Sequence, residues 1–140
     1  MIGDTLSPEI EAIATQIVDA AFKVHSRTGP GLLESLYETC LTYELQQRGL
    51  KVRRQMVVPF LYDGVQLDAD LRIDLLVEEL VIVEVKAVEK LIPLFDAQVL
   101  TYLKLTQKPL GFLINFNVRV IANGIKRIIL TPPPNGANQP

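Results

Sequence analysis

The chain has 140 residues, of which 49% are hydrophobic and 21% charged, and its formal net charge is −2. These values exclude a disordered chain and suit one domain, and the slightly acidic balance argues against a generic duplex binder. A single cysteine, Cys40, excludes an internal disulfide and a cysteine-based zinc site. Because no apolar run approaches the roughly 20 residues that span a bilayer and the N-terminus lacks a signal peptide, we expect a cytoplasmic protein without a membrane partner.

Two helices are predicted in the first third of the chain. Ser7-Pro8 is typical of an N-cap followed by proline at the first helical position, and apolar residues then recur at helical spacing to about residue 27. Gly29-Pro30-Gly31 ends this helix. A second helix is expected over residues 33–48, with Gly49 just beyond its end. Its apolar side would comprise Leu33, Leu36, Tyr37, Cys40 and Leu41.

Strands and one further helix are predicted in the rest of the chain. Asp63-Gly64 is a tight-turn signal between two strands, and Glu78-Glu79 would join the next two. The helix would cover residues 93–106. In chain order, we predict strands over residues 52–62, 65–67, 71–77, 80–88, 110–116 and 124–130.

The order of these elements indicates how the sheet is built. Consecutive strands without intervening helices form antiparallel hairpins, whereas the helix over residues 93–106 would return the chain through a parallel crossover. We therefore expect an α/β (α+β) fold with one mixed sheet flanked by helices. The single domain would cover residues 1–131, and residues 132–140 would form a disordered tail.

The most informative segment is residues 72–86, where charged residues enter an apolar strand. Residues two apart in a strand share a face, so Glu84 and Lys86 lie on the same face as Ile82. A buried charge costs several kcal/mol unless it is paired or bound to metal. The alternative is an exposed salt pair at a strand end, which contributes little to stability.

Asp74, in the preceding strand, supplies a second carboxylate beside Glu84. Two close carboxylates resist joint ionisation, and a divalent cation removes that repulsion while taking the oxygen ligands that hard cations prefer. We therefore predict a divalent-metal site built from Asp74, Glu84 and Lys86. The register tests this prediction, because a two-residue turn at Glu78-Glu79 would set Asp74 opposite Val83, whereas a three-residue loop or a bulge sets it opposite Glu84.

These residues resemble the motif of the PD-(D/E)XK nuclease superfamily. Asp74 fits its acidic position and Glu84-Val85-Lys86 its E-X-K element, while Ile73 stands where the motif has proline. The run from Gly31 to Tyr37 is similar to the signature of the GxxExxY family within that superfamily. The resemblance covers roughly residues 10–130 and implies a restriction-endonuclease-like core.

The resemblance also implies a Mg²⁺- or Mn²⁺-dependent nuclease. Asp74 and Glu84 would hold the metal, with the Val85 carbonyl as a further ligand and Glu34 binding directly or through water. Lys86 would orient or activate the attacking water and stabilise charge on the phosphate. Nucleic acid would be the partner, with DNA favoured over RNA.

Gln98 and Tyr102 lie four residues apart on the predicted third helix and share a face. They are similar to the Q-x-x-x-Y element of the exonuclease-like branch of the superfamily, in which the pair supports the lysine and contacts phosphate. The plain alternative is that Tyr102 belongs to the core and Gln98 to the surface. Glu34 has its own alternative, since an acid in the first turn of a helix suits the helix dipole.

Three functions are compatible with these residues. The intact set of Asp74, Glu84, Lys86 and Gln98 favours a metal-dependent nuclease over a catalytically silent nucleic-acid or protein interaction module with the same fold. A hydrolase of another phosphodiester, such as a nucleotide, is the third. Because so short a chain has no separate DNA-reading domain, a homodimer or a protein partner would supply affinity and targeting.

Overall fold

The computed structural model describes residues 6–131, apart from the side chains of residues 69 and 70, and the predicted tail at 132–140 lies outside the described residues. The helices are α1 (Pro8–Thr28), α2 (Glu34–Gln47) and α3 (Pro93–Thr106), and a short 3-10 helix covers Ile121–Gly124. The strands are β1 (Val52–Tyr62), β2 (Val65–Val77), β3 (Val81–Lys86), β4 (Leu110–Asn115) and β5 (Ile125–Ile129).

Within residues 6–131, the strands form one mixed five-stranded sheet in the order β1-β2-β3-β4-β5. All neighbouring pairs are antiparallel except β3 and β4, which run parallel. The helix α3 connects these two strands, so the predicted parallel crossover is confirmed. The predicted fold class, one mixed sheet flanked by helices, is confirmed as well.

Some predicted strand boundaries are wrong. Residues 65–77 form one continuous strand instead of two, because pairing with β1 resumes at Leu61 and Gln66 after a register shift that follows Pro59. The third strand starts at Val81, since Leu80 belongs to the preceding loop, and it ends at Lys86. The last strand starts at Ile125, after the 3-10 helix.

Both faces of the sheet are covered by apolar layers. On one face, α1 and α2 pack on side chains that include Val81, Val83 and Val85 of β3. On the other face, α3 places Val99 and Leu103 against Ile82. The alternation predicted for β3 is therefore correct, and the strand is buried on both sides.

Both ends of α1 follow the sequence signals. At the start, Ser7 Oγ accepts a hydrogen bond from the Ile10 amide at 3.2 Å, and at the C-terminal end Gly29 follows the helix with φ 64°. Near that C-terminal end, His25 Nε2 lies 2.6 Å from the Val118 carbonyl oxygen, which joins the helix to the loop after β4. No helix among residues 6–131 is long and apolar enough to cross a membrane.

The helix α2 is rotated relative to the prediction. Leu33 and Leu36 are 71% and 46% exposed, so their predicted place on the packed side is wrong. The cause is Tyr37, which is fully buried and stacks on Phe116 at a ring-centroid distance of 4.8 Å. Its hydroxyl donates to the Gly29 carbonyl at 2.6 Å and accepts from the Leu32 amide at 3.1 Å, which fixes the rotation of the helix. The side chain of Glu38 becomes buried as a result.

Candidate active site

The connection between β2 and β3 has the length that the predicted site requires. Val77 pairs with Val81 and Leu75 with Val83, which leaves a three-residue loop over residues 78–80. Glu78 and Glu79 adopt positive φ angles of 53° and 58° in this loop. The same register, continued by one residue, sets Asp74 opposite Glu84. The predicted odd loop is therefore confirmed.

Beyond Leu75 and Val83, side chains replace the backbone ladder between β2 and β3. The Asp74 amide donates to Glu84 Oε2 at 2.8 Å, and the Val85 amide donates to Asp74 Oδ2 at 2.8 Å. Each carboxylate therefore accepts from the backbone of the opposite strand. We refer to Asp74 and Glu84 as the carboxylate pair.

The electrostatics of the carboxylate pair are unfavourable without a cation. Glu84 is buried, with 7% of its surface exposed. Burial in the first place, and then the negative charge of Asp74, raises the pKa of Glu84 to about 8. The hydrogen bond from the Asp74 amide and the positive charge of Lys86 act in the opposite direction without reversing the rise. At neutral pH the metal-free protein therefore holds a proton on this side chain.

Lys86 ends β3 on the same face as Glu84, and its Nζ lies 4.4 Å from the centre of the Phe95 ring. The chain beyond it is held by Asn115, whose Oδ1 accepts from the Val88 amide at 3.1 Å and whose Nδ2 donates to the Val88 carbonyl at 2.9 Å. Asn115 is itself fixed by a close approach of Gly124, where a Cβ atom would lie 2.1 Å from the Asn115 carbonyl oxygen. These contacts set the course of the backbone after the lysine.

Glu34 is the first residue of α2 and lies at the end of β3. Its Oε1 accepts a hydrogen bond from the Ala87 amide at 3.3 Å. Its negative charge adds to the rise in the pKa of Glu84, after the larger effects of burial and Asp74. The structure therefore brings Glu34 near the carboxylate pair and engages it with the backbone next to Lys86.

Tyr102 and Gln98 lie on α3, the helix that packs on the face of β3 carrying Glu84 and Lys86. Burial first, and then the charges of Glu84 and Asp74, raises the pKa of the Tyr102 phenol, so that group senses the carboxylate pair. Gln98 is exposed and lines a cleft of about 210 Å³ together with Tyr102. The remaining lining residues are Leu71, Leu94, Ala97 and Thr101.

Two polar residues next to the site, Glu38 and Gln55, were not predicted from the sequence. Glu38 is buried on α2, one helical turn after Glu34, and accepts from Arg54 Nε at 3.1 Å. The Gln55 side-chain amide donates to Glu38 Oε1 at 2.8 Å and to Asp74 Oδ1 at 3.2 Å. The spacing of Glu38 from Glu34 was a usable signal, because residues four apart share a helix face. Nothing in the sequence marked Gln55, since its role depends on a positive φ of 50° within a strand.

The donors present suit a divalent cation that keeps much of its water. Within residues 6–131, no group of three or more His, Cys, Asp or Glu side chains is arranged to hold a metal ion. Mg²⁺ needs fewer protein ligands, since it retains several waters and is commonly bound by one or two carboxylates. The carboxylate pair, with its mutual repulsion and its oxygen donors, fits that requirement.

Residues 11–128 match the family model of the PD-(D/E)XK nuclease superfamily. Since the match covers well over half of the chain, the protein belongs to this superfamily, and its sheet is consistent with the restriction-endonuclease-like fold. Its members are generally nucleases that use divalent metal ions. A search of curated proteins and a search of solved structures gave no match.

Proposed function

We propose that the protein is a metal-dependent nuclease of the GxxExxY type that hydrolyses phosphodiester bonds, in DNA more readily than in RNA. The observation that carries this proposal is the carboxylate pair, hydrogen-bonded across β2 and β3, with Lys86 on the same face. Placing two acids and a lysine at one point of a buried sheet is costly in stability, and such groups are characteristic of functional sites.

In this proposal Asp74 and Glu84 hold a Mg²⁺ or Mn²⁺ ion, with the Val85 carbonyl as a third ligand and Glu34 acting through water. The bound cation supplies an activated water and neutralises charge on the phosphate. The raised pKa of Glu84 supports this assignment, because the proton that it holds at neutral pH would give way to the cation.

Lys86 orients the attacking water and stabilises the negative charge that develops on the phosphate. Its contact with the Phe95 ring holds the ammonium group within the site, since a cation is attracted to the face of an aromatic ring. The Tyr102 hydroxyl donates a hydrogen bond to a phosphate oxygen, and Gln98 contacts the nucleic-acid strand where that strand enters the cleft on α3. These roles extend the Q-x-x-x-Y resemblance and depend on the position of both residues in that cleft.

A catalytically silent interaction module is the second candidate, and one observation favours it. Arg53, Arg54 and Arg127 are engaged in ion pairs with Glu79, Glu38 and Glu11, so much of their positive charge is balanced within the protein. Phosphate binding depends on uncompensated lysine and arginine. We therefore expect weak affinity for nucleic acid from one copy, with a second copy or a protein partner adding the rest.

End-labelled single- and double-stranded DNA and RNA, incubated with Mg²⁺, Mn²⁺ or EDTA, test the proposal. The wild-type protein should cut at least one substrate with metal and none with EDTA. Asp74→Ala should abolish cutting, while Asp19→Ala, an exposed acid on α1, should leave it unchanged. No cutting, or cutting that survives Asp74→Ala, would contradict the nuclease proposal and favour the interaction module.

A further inference from the structure

Gln55 has a backbone conformation that a strand does not require. Its φ of 50° lies in the left-handed region, although the residues on either side pair regularly, Arg54 with Leu75 and Met56 with Ile73. Residues other than glycine adopt this region at a cost, and such outliers concentrate at functional sites. By this register Gln55 lies directly opposite Asp74, one of the carboxylate pair.

The side chain of Gln55 connects two carboxylates. One nitrogen, Nε2, donates to Asp74 Oδ1 at 3.2 Å and to Glu38 Oε1 at 2.8 Å. The other oxygen of Asp74 accepts from the Val85 amide at 2.8 Å. Both oxygens of Asp74 are therefore held, one by β3 and one by β1, which fixes the plane of the carboxylate.

The amide of Gln55 is in turn held by α2. Glu38 is 6% exposed, and its second oxygen accepts from Arg54 Nε at 3.1 Å. Arg54 also donates to Thr39 Oγ1 at 3.0 Å, so its guanidinium is tied to the same helix. The charge of Glu38 is thereby balanced by Arg54 and leaves the neutral amide of Gln55 as the group that reaches Asp74.

We propose that Gln55 is the positioning residue for Asp74, and that it sets the orientation of this metal-binding carboxylate through its link to Glu38. A neutral amide suits this task, because it orients the carboxylate and leaves the full negative charge for the cation. A lysine or arginine at this position would neutralise that charge and compete with the metal. The inference rests on the proposed function, since it assigns Asp74 to metal binding.

The test separates the side chain from the backbone conformation. Gln55→Gly removes the amide while glycine adopts positive φ without strain. Gln55 is exposed, so this change removes no core packing. Calorimetric titration with Mn²⁺ should show affinity reduced by about 10–100-fold, the usual loss when a hydrogen-bond partner of a metal ligand is removed. Cleavage should recover at saturating Mn²⁺, so that the metal concentration for half-maximal rate changes more than kcat does.

Two further variants complete the comparison. Gln107→Gly is the matched control, because Gln107 also has positive φ, 54°, and lies at the C-terminal end of α3. It should bind Mn²⁺ as the wild type does. Gln55→Asn retains an amide and tolerates positive φ, but the side chain is too short to span both carboxylates. Gln55→Asn should also weaken Mn²⁺ binding, and it replaces Gln55→Gly as the test if the glycine variant fails to fold.

The outcomes distinguish this inference from the proposed function. Wild-type Mn²⁺ affinity in folded Gln55→Gly or Gln55→Asn overturns the role of Gln55, whether or not the protein cuts nucleic acid. Mn²⁺ binding by the wild type without cleavage overturns the nuclease assignment alone, and the titrations still decide the role of Gln55. A wild-type protein that binds no Mn²⁺ contradicts both.

Discussion

The two ends of the β2–β3 pair are built differently. Toward the loop, Leu75, Leu76 and Val77 pair regularly with β3, and all are buried apolar residues. At the other end, the Asp74 and Glu84 side chains take over the hydrogen bonds between the strands. The difference shows how a small domain accommodates a charged site, because an apolar, fully paired segment adjoins the segment that holds two repelling carboxylates.

This comparison also separates stability from function. The apolar end should contribute to folding and little to chemistry, whereas the carboxylate end should reduce stability and carry the chemistry. Functional sites in many proteins are destabilising in this way. Substitutions at the apolar end should therefore lower stability and spare metal binding, whereas substitutions at the carboxylate end should impair metal binding and cleavage without a comparable loss of stability.

The largest loss of stability is expected at the apolar end. Ile82 is fully buried against Val99 and Leu103, so Ile82→Ala should lower the free energy of unfolding by roughly 2–5 kcal/mol. Leu94→Ala, at an exposed leucine on α3, should change it by less than about 0.5 kcal/mol. Urea unfolding measures both, and Ile82→Ala should retain wild-type Mn²⁺ affinity while folded. If Ile82→Ala lost metal affinity and kept wild-type stability, the assignment of stability to the apolar end and of function to the carboxylate end would be wrong.

At the carboxylate end, stability of the metal-free protein should depend on pH through Glu84. Its pKa is about 8 in the folded state and near the ordinary 4.5 when unfolded, so between these values only the folded state holds the proton. The free energy of unfolding should therefore fall as pH rises from about 4.5 to about 8. Below about pH 4.5, the contribution of the Glu84 proton to stability should be fully present.

Glu84→Gln should flatten this dependence, because the amide does not titrate. Urea unfolding in EDTA across the same pH range measures it, with Glu89→Gln, an exposed acid beyond β3, as the matched control. If the Glu84→Gln and wild-type curves are parallel, the burial of this carboxylate does not govern the pH dependence.

The smallest effect is expected at Glu34, which lies beside the pair. Glu34→Gln should reduce cleavage by roughly tenfold, as is usual when a group that acts on a metal through water is altered. The competing interpretation, an acid that favours the helix dipole, predicts a stability loss of about 0.3–1 kcal/mol with unchanged cleavage. Measuring the rate and the unfolding midpoint of this variant decides between the two.

Much of the site could be predicted because strand periodicity and loop length determine which side chains face one another. Strand pairing alone left two registers open, and the hypothesis of a shared site for Asp74 and Glu84 required an odd loop or a bulge, which the structure has as a three-residue loop. The faces of β3 followed from alternation, since both sides of that strand are covered.

The rotation of α2 and the role of Gln55 could not be predicted, because both depend on contacts between distant segments. Leu33 and Leu36 fit a helical apolar pattern, but the bonds from Tyr37 to the preceding loop turn them outward and turn Glu38 inward. The buried Glu38 carboxylate is stabilised by hydrogen bonds from Arg54 and Gln55 on β1. These partners lie in segments far apart in the sequence, so local sequence patterns do not predict them.

The central claim is that Asp74 and Glu84 bind the metal while Lys86 serves the chemical step. The most direct measurement is Mn²⁺ affinity and cleavage rate in one preparation of Lys86→Ala, with exposed Lys90→Ala as control. We expect equal or tighter Mn²⁺ binding, because a positive charge beside the site is removed, and a loss in rate of at least about 10²-fold. Parallel loss of binding and cleavage in a folded Lys86→Ala protein, or unchanged cleavage, would contradict this account.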